Sequence, residues 1–122
     1  MEDKLIFLAV DDDFVSRRLM SSILKQYNGD VEVIEAENGE EALEIVKEYE
    51  DEISLILLDM NMPKLDGIGF LNAIPEDIFI PIIVLTTDES KKSDALDAGA
   101  ADFMMKPVNN AKLINKIKDY LD

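Results

Sequence analysis

Short apolar runs alternate with helical segments along the whole chain, and this alternation limits the possible folds more than any other feature. The runs lie at residues 4–10, 31–36, 55–59, 81–87 and 102–106. Each is short, and three are rich in β-branched or aromatic residues, so they predict five β-strands. Strands that are apolar nearly throughout and are joined by helices predict a parallel sheet covered on both faces. We therefore expect an α/β fold, a doubly wound (βα)5 domain.

Helical periodicity fills the intervals between the predicted strands. In the first helix, apolar residues recur every four positions at Val15, Leu19, Ile23 and Tyr27, which predicts that these side chains face the core. Residues that favour helix N-termini precede each of the first four helices. They are Asp13, Asn38, Asp66 and, for a short fourth helix, Asp88 or Ser90.

Polar residues stand at the carboxyl ends of the predicted strands. Right-handed crossovers bring these ends to one edge of a parallel sheet, where doubly wound folds bind their ligands. The residues are Asp11 and Asp12 after the first strand, Asp59 at the end of the third, Thr86 in the fourth and Lys106 in the fifth. We therefore expect three carboxylates, a hydroxyl and an ammonium group around one crevice.

This set of groups favours phosphoryl chemistry with a divalent cation. The chain has no Cys and no His, so a metal must be bound by oxygen, which suits Mg²⁺, Ca²⁺ or Mn²⁺. A carboxylate can accept a phosphoryl group, and hydroxyl and ammonium groups can bind its oxygens. The net charge of −15 argues against a nucleic-acid surface, and no apolar stretch approaches the length of a membrane span. Because the N-terminus also lacks a secretion signal, we expect a cytoplasmic protein.

Four motifs at these strand ends carry a resemblance to a known family. They are VDDD after the first strand, LLDMNMPKLDG at the third, VLTT at the fourth and KP after the fifth. In that order they resemble the receiver domain of bacterial two-component response regulators. The resemblance covers the whole chain, so residues 1–122 are expected to form one receiver domain. It implies the flavodoxin-like receiver fold, with strand order 2-1-3-4-5.

The resemblance also implies roles for the acidic residues. Asp59 would accept the phosphoryl group, and Asp11 and Asp12 would form an acidic pocket beside it. The implied Mg²⁺ site consists of Asp11, Asp12, Asp59 and the backbone carbonyl of Asn61. Of these, Asp12, Asp59 and the Asn61 carbonyl would contact the ion directly.

Switching and partners follow from the same resemblance. Thr86 and Lys106 would bind the phosphoryl group, Phe103 stands at the family's aromatic switch position, and the Lys106–Pro107 bond would be cis. The donor would be a histidine kinase or a histidine phosphotransfer protein. A downstream effector protein would bind the surface of helix four, strand five and helix five. Chemistry would be limited to the domain's own phosphorylation and slow autodephosphorylation, without direct contact with nucleic acid or membrane.

Three other functions share parts of this pattern. A magnesium-dependent phosphohydrolase of the haloacid dehalogenase type would also use an aspartate nucleophile, but it would need an acid where this chain has Asn61. A flavodoxin-like flavin carrier would need a phosphate cradle in the first βα loop, and the acidic segment VDDDFVSRR lacks one. The third alternative is a receiver-like interaction module that no longer reacts, against which the complete set of acids, threonine and lysine argues.

Overall fold

Strands and helices alternate throughout residues 5–121, the part of the chain that the computed structural model describes. The strands are β1 (Ile6–Val10), β2 (Glu32–Ala36), β3 (Ile53–Asp59), β4 (Ile82–Thr86) and β5 (Asp102–Met105). The α-helices are α1 (Phe14–Tyr27), α2 (Gly39–Tyr49), α3 (Gly67–Ala73), α4 (Lys92–Asp97) and α5 (Asn110–Leu121). All strand pairs are parallel, and the order in the sheet is β2-β1-β3-β4-β5, as predicted. Within residues 5–121, no helix has both the length and the hydropathy of a membrane span.

All the predicted strands occur, and their ends differ slightly from the ends of the apolar runs. β3 begins at Ile53, before the run at 55–59, because Ile53 is buried and lies opposite Ile6 of β1. Lys4, at the start of the first predicted strand, lies outside the described residues. The polar Ser54 interrupts the apolar run, and the pairing of the buried Ile53 with β1 extends β3 beyond it.

Both faces of the sheet are buried, because successive residues of each strand point to opposite sides. On one side Leu8 and Ile56 belong to an apolar cluster that α2, α3 and α4 cover. On the other side Phe7 and Leu57 belong to a cluster that α1 and α5 cover. The buried helical members are Ala42, Val46, Phe70, Leu71 and Ala95 on the first side, and Met20, Ile23, Leu24, Leu113 and Ile117 on the second. The three layers leave the carboxyl edge of the sheet accessible between its loops.

The apolar face predicted for α1 was wrong at its first two positions. Val15 and Leu19 are 62% and 60% exposed, whereas Ile23 is buried and Tyr27 is half-buried. The residues that α1 buries are Arg17, Met20, Ser21, Ile23 and Leu24. A charged side chain can occupy this face because Arg17 has hydrogen-bond partners there, which the spacing of apolar residues does not reveal.

The predicted helix starts are confirmed by their cap contacts. The side chains of Asp13, Asn38 and Asp66 each accept a hydrogen bond from a backbone N–H three residues later, at 3.2, 2.9 and 2.9 Å. Asp88 caps a 3₁₀ turn at Glu89–Lys91, which leads into the short α4. These contacts satisfy N–H groups that would otherwise lack a partner at the start of each helix.

Candidate functional site: an acidic crevice at the carboxyl edge

The crevice opens where the strand order reverses, between the loops that follow β1 and β3. Asp11 is the first residue after β1, and Asp59 is the last residue of β3. The two strands pair in parallel, with Val10 opposite Leu58, so the two aspartates leave the sheet side by side. This is the position at which doubly wound sheets bind ligands.

Asp11 is buried, and each of its polar groups has a partner. Its backbone N–H donates to the carbonyl of Ala36 (3.1 Å), and its own carbonyl accepts from Nη1 of Arg17 (2.9 Å). Its carboxylate accepts from the backbone N–H of Asp13 (2.9 Å, Oδ1) and from Nζ of Lys106 (2.7 Å, Oδ2). Asp11 therefore has a fixed orientation, and its charge is paired with that of Lys106.

Lys106 also connects Asp11 to Asp59. Its Nζ lies 3.4 Å from Oδ1 of Asp59, which is only 7% exposed. Burial raises the pKa of the Asp59 carboxyl above its ordinary value; the charge of Lys106 opposes this rise and the charge of Asp11 adds to it. Burial alone would lower the pKa of Lys106, but the hydrogen bond to Asp11 and the charges of both carboxylates raise it. The ammonium group is thus protonated at neutral pH and brings a positive charge into the crevice.

The acidic residues have the donor set of a site for a hard divalent cation. One carboxylate oxygen each from Asp11, Asp12 and Asp59 lie within 4.8 Å of one another. Asp12 is exposed, and Asn61 is an exposed residue of the loop after Asp59. Lys106 offsets only one of the three negative charges, so a divalent cation would relieve the remaining repulsion. The residues present therefore fit Mg²⁺.

Thr86 lies at the end of β4 and is fully buried. Its Oγ1 accepts a hydrogen bond from the backbone N–H of Asp88 (3.2 Å). Its backbone carbonyl accepts from the N–H of Lys106 (2.8 Å), which ties the end of β4 to the residue after β5. The Lys106–Pro107 peptide bond is cis, as the resemblance implied.

Phe103 lies in β5, opposite Val84 of β4. It is half-buried and packs against the apolar cluster on the α2–α4 side of the sheet. The structure thus places Phe103 on the strand next to the one that carries Thr86. Its switch role stays a prediction.

The loop from Asp59 to α3 is held by close backbone packing at Gly67. The N–H of Gly67 donates to the carbonyl of Met60 (3.0 Å). A Cβ atom at position 67 would lie 2.8 Å from Cα and Sδ of Met60 and 2.9 Å from the carbonyl oxygen of Asp59. Glycine at this position therefore lets the helix start directly against the residue that carries the candidate nucleophile.

Sequence reasoning missed a polar network behind Asp11. Arg17 is 7% exposed, and its Nε donates to Oε1 of Glu35 in β2 (3.0 Å). Ser21 Oγ donates to the other oxygen of Glu35 (3.0 Å). The spacing of Arg17, Ser21 and Leu24 places them on one helical face, and this could have predicted that Arg17 is buried. The spacing does not identify the partner of a buried arginine, however.

Comparison with known proteins gives a consistent result. The family model for the response regulator receiver domain matches residues 7–118. The transcriptional regulatory protein ResD of Bacillus subtilis (strain 168) is 38% identical over 116 residues, which cover 93% of this chain and 47% of ResD. The chain spans about half the length of the curated relatives it matches.

Solved structures show the same fold. The chemotaxis protein CheY4 of Vibrio cholerae has a TM-score of 0.84 and 31% identity, with 98% of this chain and 100% of that chain covered. A chain in the co-crystal structure of the Saccharomyces cerevisiae histidine phosphotransfer protein Ypd1 with the receiver domain of Ssk1 has a TM-score of 0.80 and 27% identity. That match covers 98% of this chain and 90% of the other. The family match, the strand order and the position of the acidic crevice agree, and the chain belongs to the response regulator receiver domain family.

Proposed function

We propose that this receiver domain accepts a phosphoryl group on Asp59 from the phosphohistidine of a partner protein, with Mg²⁺ bound in the crevice. One observation carries the proposal: Lys106 Nζ lies 3.4 Å from the Asp59 carboxylate, and oxygens of Asp11, Asp12 and Asp59 lie within 4.8 Å of one another. A nucleophile, a fixed positive charge and metal ligands thus occur together. Membership of the receiver family supports the same reading.

In the proposed transfer, a carboxylate oxygen of Asp59 attacks the phosphorus atom and forms a P–O bond. The P–N bond to the donor imidazole breaks, and its electron pair stays on the imidazole nitrogen. Lys106 donates to a phosphoryl oxygen, and Thr86, whose Oγ1 accepts from Asp88, keeps its own hydroxyl hydrogen to donate to another. Mg²⁺, when bound, would neutralise part of the negative charge of the carboxylates and phosphoryl group. Its ligands would be the carboxylates of Asp12 and Asp59 and the carbonyl of Asn61, with Asp11 beside them.

The donor histidine must lie outside residues 1–122, because these contain no histidine. We propose a histidine kinase or a histidine phosphotransfer protein, such as the one present in the Ypd1–Ssk1 structure. An exposed apolar patch on the first turns of α1 supports docking beside the crevice. It consists of Phe14, Val15 and Leu19, which are 57%, 62% and 60% exposed. A partner that covered this patch would bring its phosphohistidine close to Asp59 and bury apolar surface.

The proposed output runs from Thr86 to the surface formed by α4, β5 and α5. A phosphoryl oxygen would draw the Thr86 hydroxyl towards Asp59, and Phe103 would move into the space released, which favours one of two pre-existing states. Within residues 5–121, each of the three elements exposes one large hydrophobic side chain, namely Leu96, Met105 and Tyr120. These residues support this surface as the site where a downstream effector protein binds.

The proposed chemistry is confined to the domain itself. We expect its own phosphorylation and a slow autodephosphorylation, with no turnover of other substrates. Its net charge of −15 supports protein partners and cations rather than nucleic acid. We propose that it acts in the cytoplasm, since a histidine kinase draws on intracellular ATP, and that it has no direct membrane contact.

Phosphorylation with acetyl phosphate and Mg²⁺, followed by intact-protein mass spectrometry, tests the proposal. Wild type should gain one phosphoryl group, Asp59→Asn should gain none, and the exposed control Asp77→Asn should behave as wild type. Undiminished labelling of Asp59→Asn would contradict the assignment of the nucleophile. A wild-type protein that neither acetyl phosphate nor any histidine kinase can label would instead match the alternative of an unreactive interaction module.

A further inference from the structure

A buried arginine lies directly behind the acidic crevice, and the proposed chemistry does not use it. Arg17 is held on two sides, by the carbonyl of Asp11 (Nη1, 2.9 Å) and by the carboxylate of Glu35 (Nε, 3.0 Å). Its Nη2 also lies 3.9 Å from Glu37, and its guanidinium lies 5.6 Å from the ring centroid of Phe14. A buried guanidinium is retained in a fold only when such partners compensate for its lost hydration.

The hydrogen bond from Arg17 to Asp11 is significant because it holds the peptide group between Asp11 and Asp12. The carbonyl of Asp11 belongs to the rigid, planar peptide group that links Asp11 to Asp12. The N–H of Asp11, in the preceding peptide group, donates to the carbonyl of Ala36 in β2. Both peptide groups that flank Asp11 are therefore fixed, one by a strand and the other by Arg17. The orientation of the Asp11–Asp12 peptide determines where both carboxylates project.

Glu35, the carboxylate partner of Arg17, is itself held by further contacts. Glu35 accepts from Ser21 Oγ (3.0 Å) through its second oxygen, and Arg18 lies 3.6 Å from that oxygen. The planar guanidinium of Arg17 therefore bridges a carboxylate on β2 and the carbonyl that follows β1. A lysine has a single ammonium group and cannot reproduce this two-sided geometry.

We propose that Arg17 is a positioning residue of the phosphoryl-accepting site. It holds the Asp11–Asp12 peptide in the orientation that lets Asp11 bind Lys106 and places Asp12 beside Asp59 for the cation. The inference rests on the proposed function, because it assigns Arg17 to the cation site of that function. It does not require Arg17 to contact the cation or the phosphoryl group.

Arg18 provides a matched control for this inference. It is the next residue of α1, it carries the same charge and it contacts the same glutamate. Its side chain is 63% exposed, however, and within residues 5–121 it makes no hydrogen bond to Asp11. Removing either arginine brings the same loss of positive charge near the crevice. Charge alone would make both variants bind Mg²⁺ more tightly. Weaker binding in one variant therefore reports a change of geometry.

The experiment measures the Mg²⁺ dissociation constant of wild type, Arg17→Gln and Arg18→Gln by titration monitored with ¹H–¹⁵N NMR. We expect the dissociation constant of Arg17→Gln to rise about tenfold, as for other residues that orient metal ligands. Arg18→Gln should stay within about twofold of wild type or bind slightly more tightly. In the metal-free proteins, the amide of Asp13, which donates to Asp11 Oδ1, should shift in Arg17→Gln and not in Arg18→Gln.

If Arg17→Gln does not fold, Arg17→Lys takes its place, because it keeps the charge and loses the bridge. We expect Arg17→Lys also to bind Mg²⁺ several-fold more weakly than wild type. A folded Arg17→Gln or Arg17→Lys protein with wild-type affinity for Mg²⁺ would overturn the inference and leave the proposed function intact. A wild-type protein that binds no Mg²⁺ and cannot be phosphorylated would overturn both.

Discussion

Asp59 carries its negative charge at a position that is unfavourable for a carboxylate. Burial is the main reason, and Asp11 adds like-charge repulsion, which Lys106 counteracts in part. The pKa of Asp59 in the folded chain is therefore raised above the ordinary value of 3.8. A raised pKa means that the folded chain binds the proton more tightly than the unfolded chain does. The contribution of Asp59 to stability is thus fully present below the unfolded pKa and is lost as pH rises through the folded pKa.

Asp59→Asn should therefore be more stable than wild type at neutral pH in the absence of divalent cations. The amide cannot ionise, so the variant avoids the cost of the buried charge, and Lys106 keeps Asp11 at 2.7 Å as its partner. We expect the melting temperature at neutral pH to rise by a few degrees. The gain should shrink as pH falls towards 3.8, where wild-type Asp59 is protonated. Thermal denaturation over a pH series, with Asp77→Asn as the control, measures both effects; a gain that is independent of pH would contradict this account.

At the level of secondary structure elements, the chemistry depends on how the loop after β3 meets α3. Gly67 starts α3 at a point where a Cβ atom would lie 2.8 Å from Met60 and 2.9 Å from the carbonyl of Asp59. Backbone atoms of this loop cannot move without displacing Asp59 itself. Gly29, in the turn after α1, has no atom within 4 Å of the position of an added Cβ.

Gly67→Ala should lower both stability and phosphorylation, whereas Gly29→Ala should change neither appreciably. Overpacking at this close contact should cost about 1–3 kcal/mol of unfolding free energy. The displacement of Asp59 should also slow its labelling by acetyl phosphate. Urea denaturation and labelling rates compare the two variants with wild type. If Gly67→Ala were labelled at the wild-type rate, the loop would not depend on this packing.

Hydrogen bonds join α5 to the start of β5. Lys116 and Tyr120 of α5 both bind the carboxylate of Asp102 at the start of β5, at 3.0 and 3.2 Å. Thr86 lies at the other end of this region, hydrogen bonded through its carbonyl to Lys106. Under the proposed switch, these contacts would link Thr86 through β5 to α5, on the surface of α4, β5 and α5.

Thr86→Ala should still be phosphorylated on Asp59 but should lose most of the response on that surface. The alanine has no hydroxyl group to bind a phosphoryl oxygen, so nothing draws the end of β4 towards Asp59. Changes in amide chemical shift over α4, β5 and α5 upon phosphorylation are the measurement. Thr87→Ala, the same substitution at the exposed neighbouring residue, should respond as wild type at equal phosphoryl occupancy. Equal shifts in wild type and Thr86→Ala would show that the coupling does not pass through Thr86.

Over the whole molecule, repulsion between negative charges opposes folding, and three of these charges lie together in the crevice. The net charge is −15, and the carboxylates of Asp11, Asp12 and Asp59 lie together, with Lys106 paired to two of them. Monovalent salt should stabilise the domain by screening the general repulsion. A divalent cation should do more, because the unfolded chain does not gather these three carboxylates and so binds it weakly.

Mg²⁺ should therefore raise the melting temperature beyond the effect of NaCl at the same ionic strength. At ten times the dissociation constant, linkage gives about 1.4 kcal/mol. For a domain of this size the corresponding rise is roughly 3–6 °C. Asp12→Ala should stabilise the metal-free protein by relieving repulsion and should abolish the rise that is specific to Mg²⁺. A wild-type melting curve insensitive to Mg²⁺, or an Asp12→Ala protein with the full rise, would exclude Asp12 from the cation site.

The elements of the fold and the place of the crevice could be predicted from local patterns. Apolar runs predicted every strand, capping residues such as Asn38 and Asp66 predicted helix starts, and strand direction predicted that Asp11 and Asp59 would emerge at one edge. The resemblance to receiver domains supplied the strand order. The buried face of α1 was predicted incorrectly, because Val15 and Leu19 are apolar yet exposed.

Hydrophobic periodicity and capping act between near neighbours, so the number, type and order of the elements and the side of the sheet on which the acids lie follow from the sequence. The pairing of charges does not, because it depends on contacts between elements that are distant in the chain. Lys106 binds Asp11 across 95 positions of the chain, and Arg17 reaches Glu35 across 18. Whether a charged residue is buried depends on partners that other elements bring to it, and no local pattern contains that information.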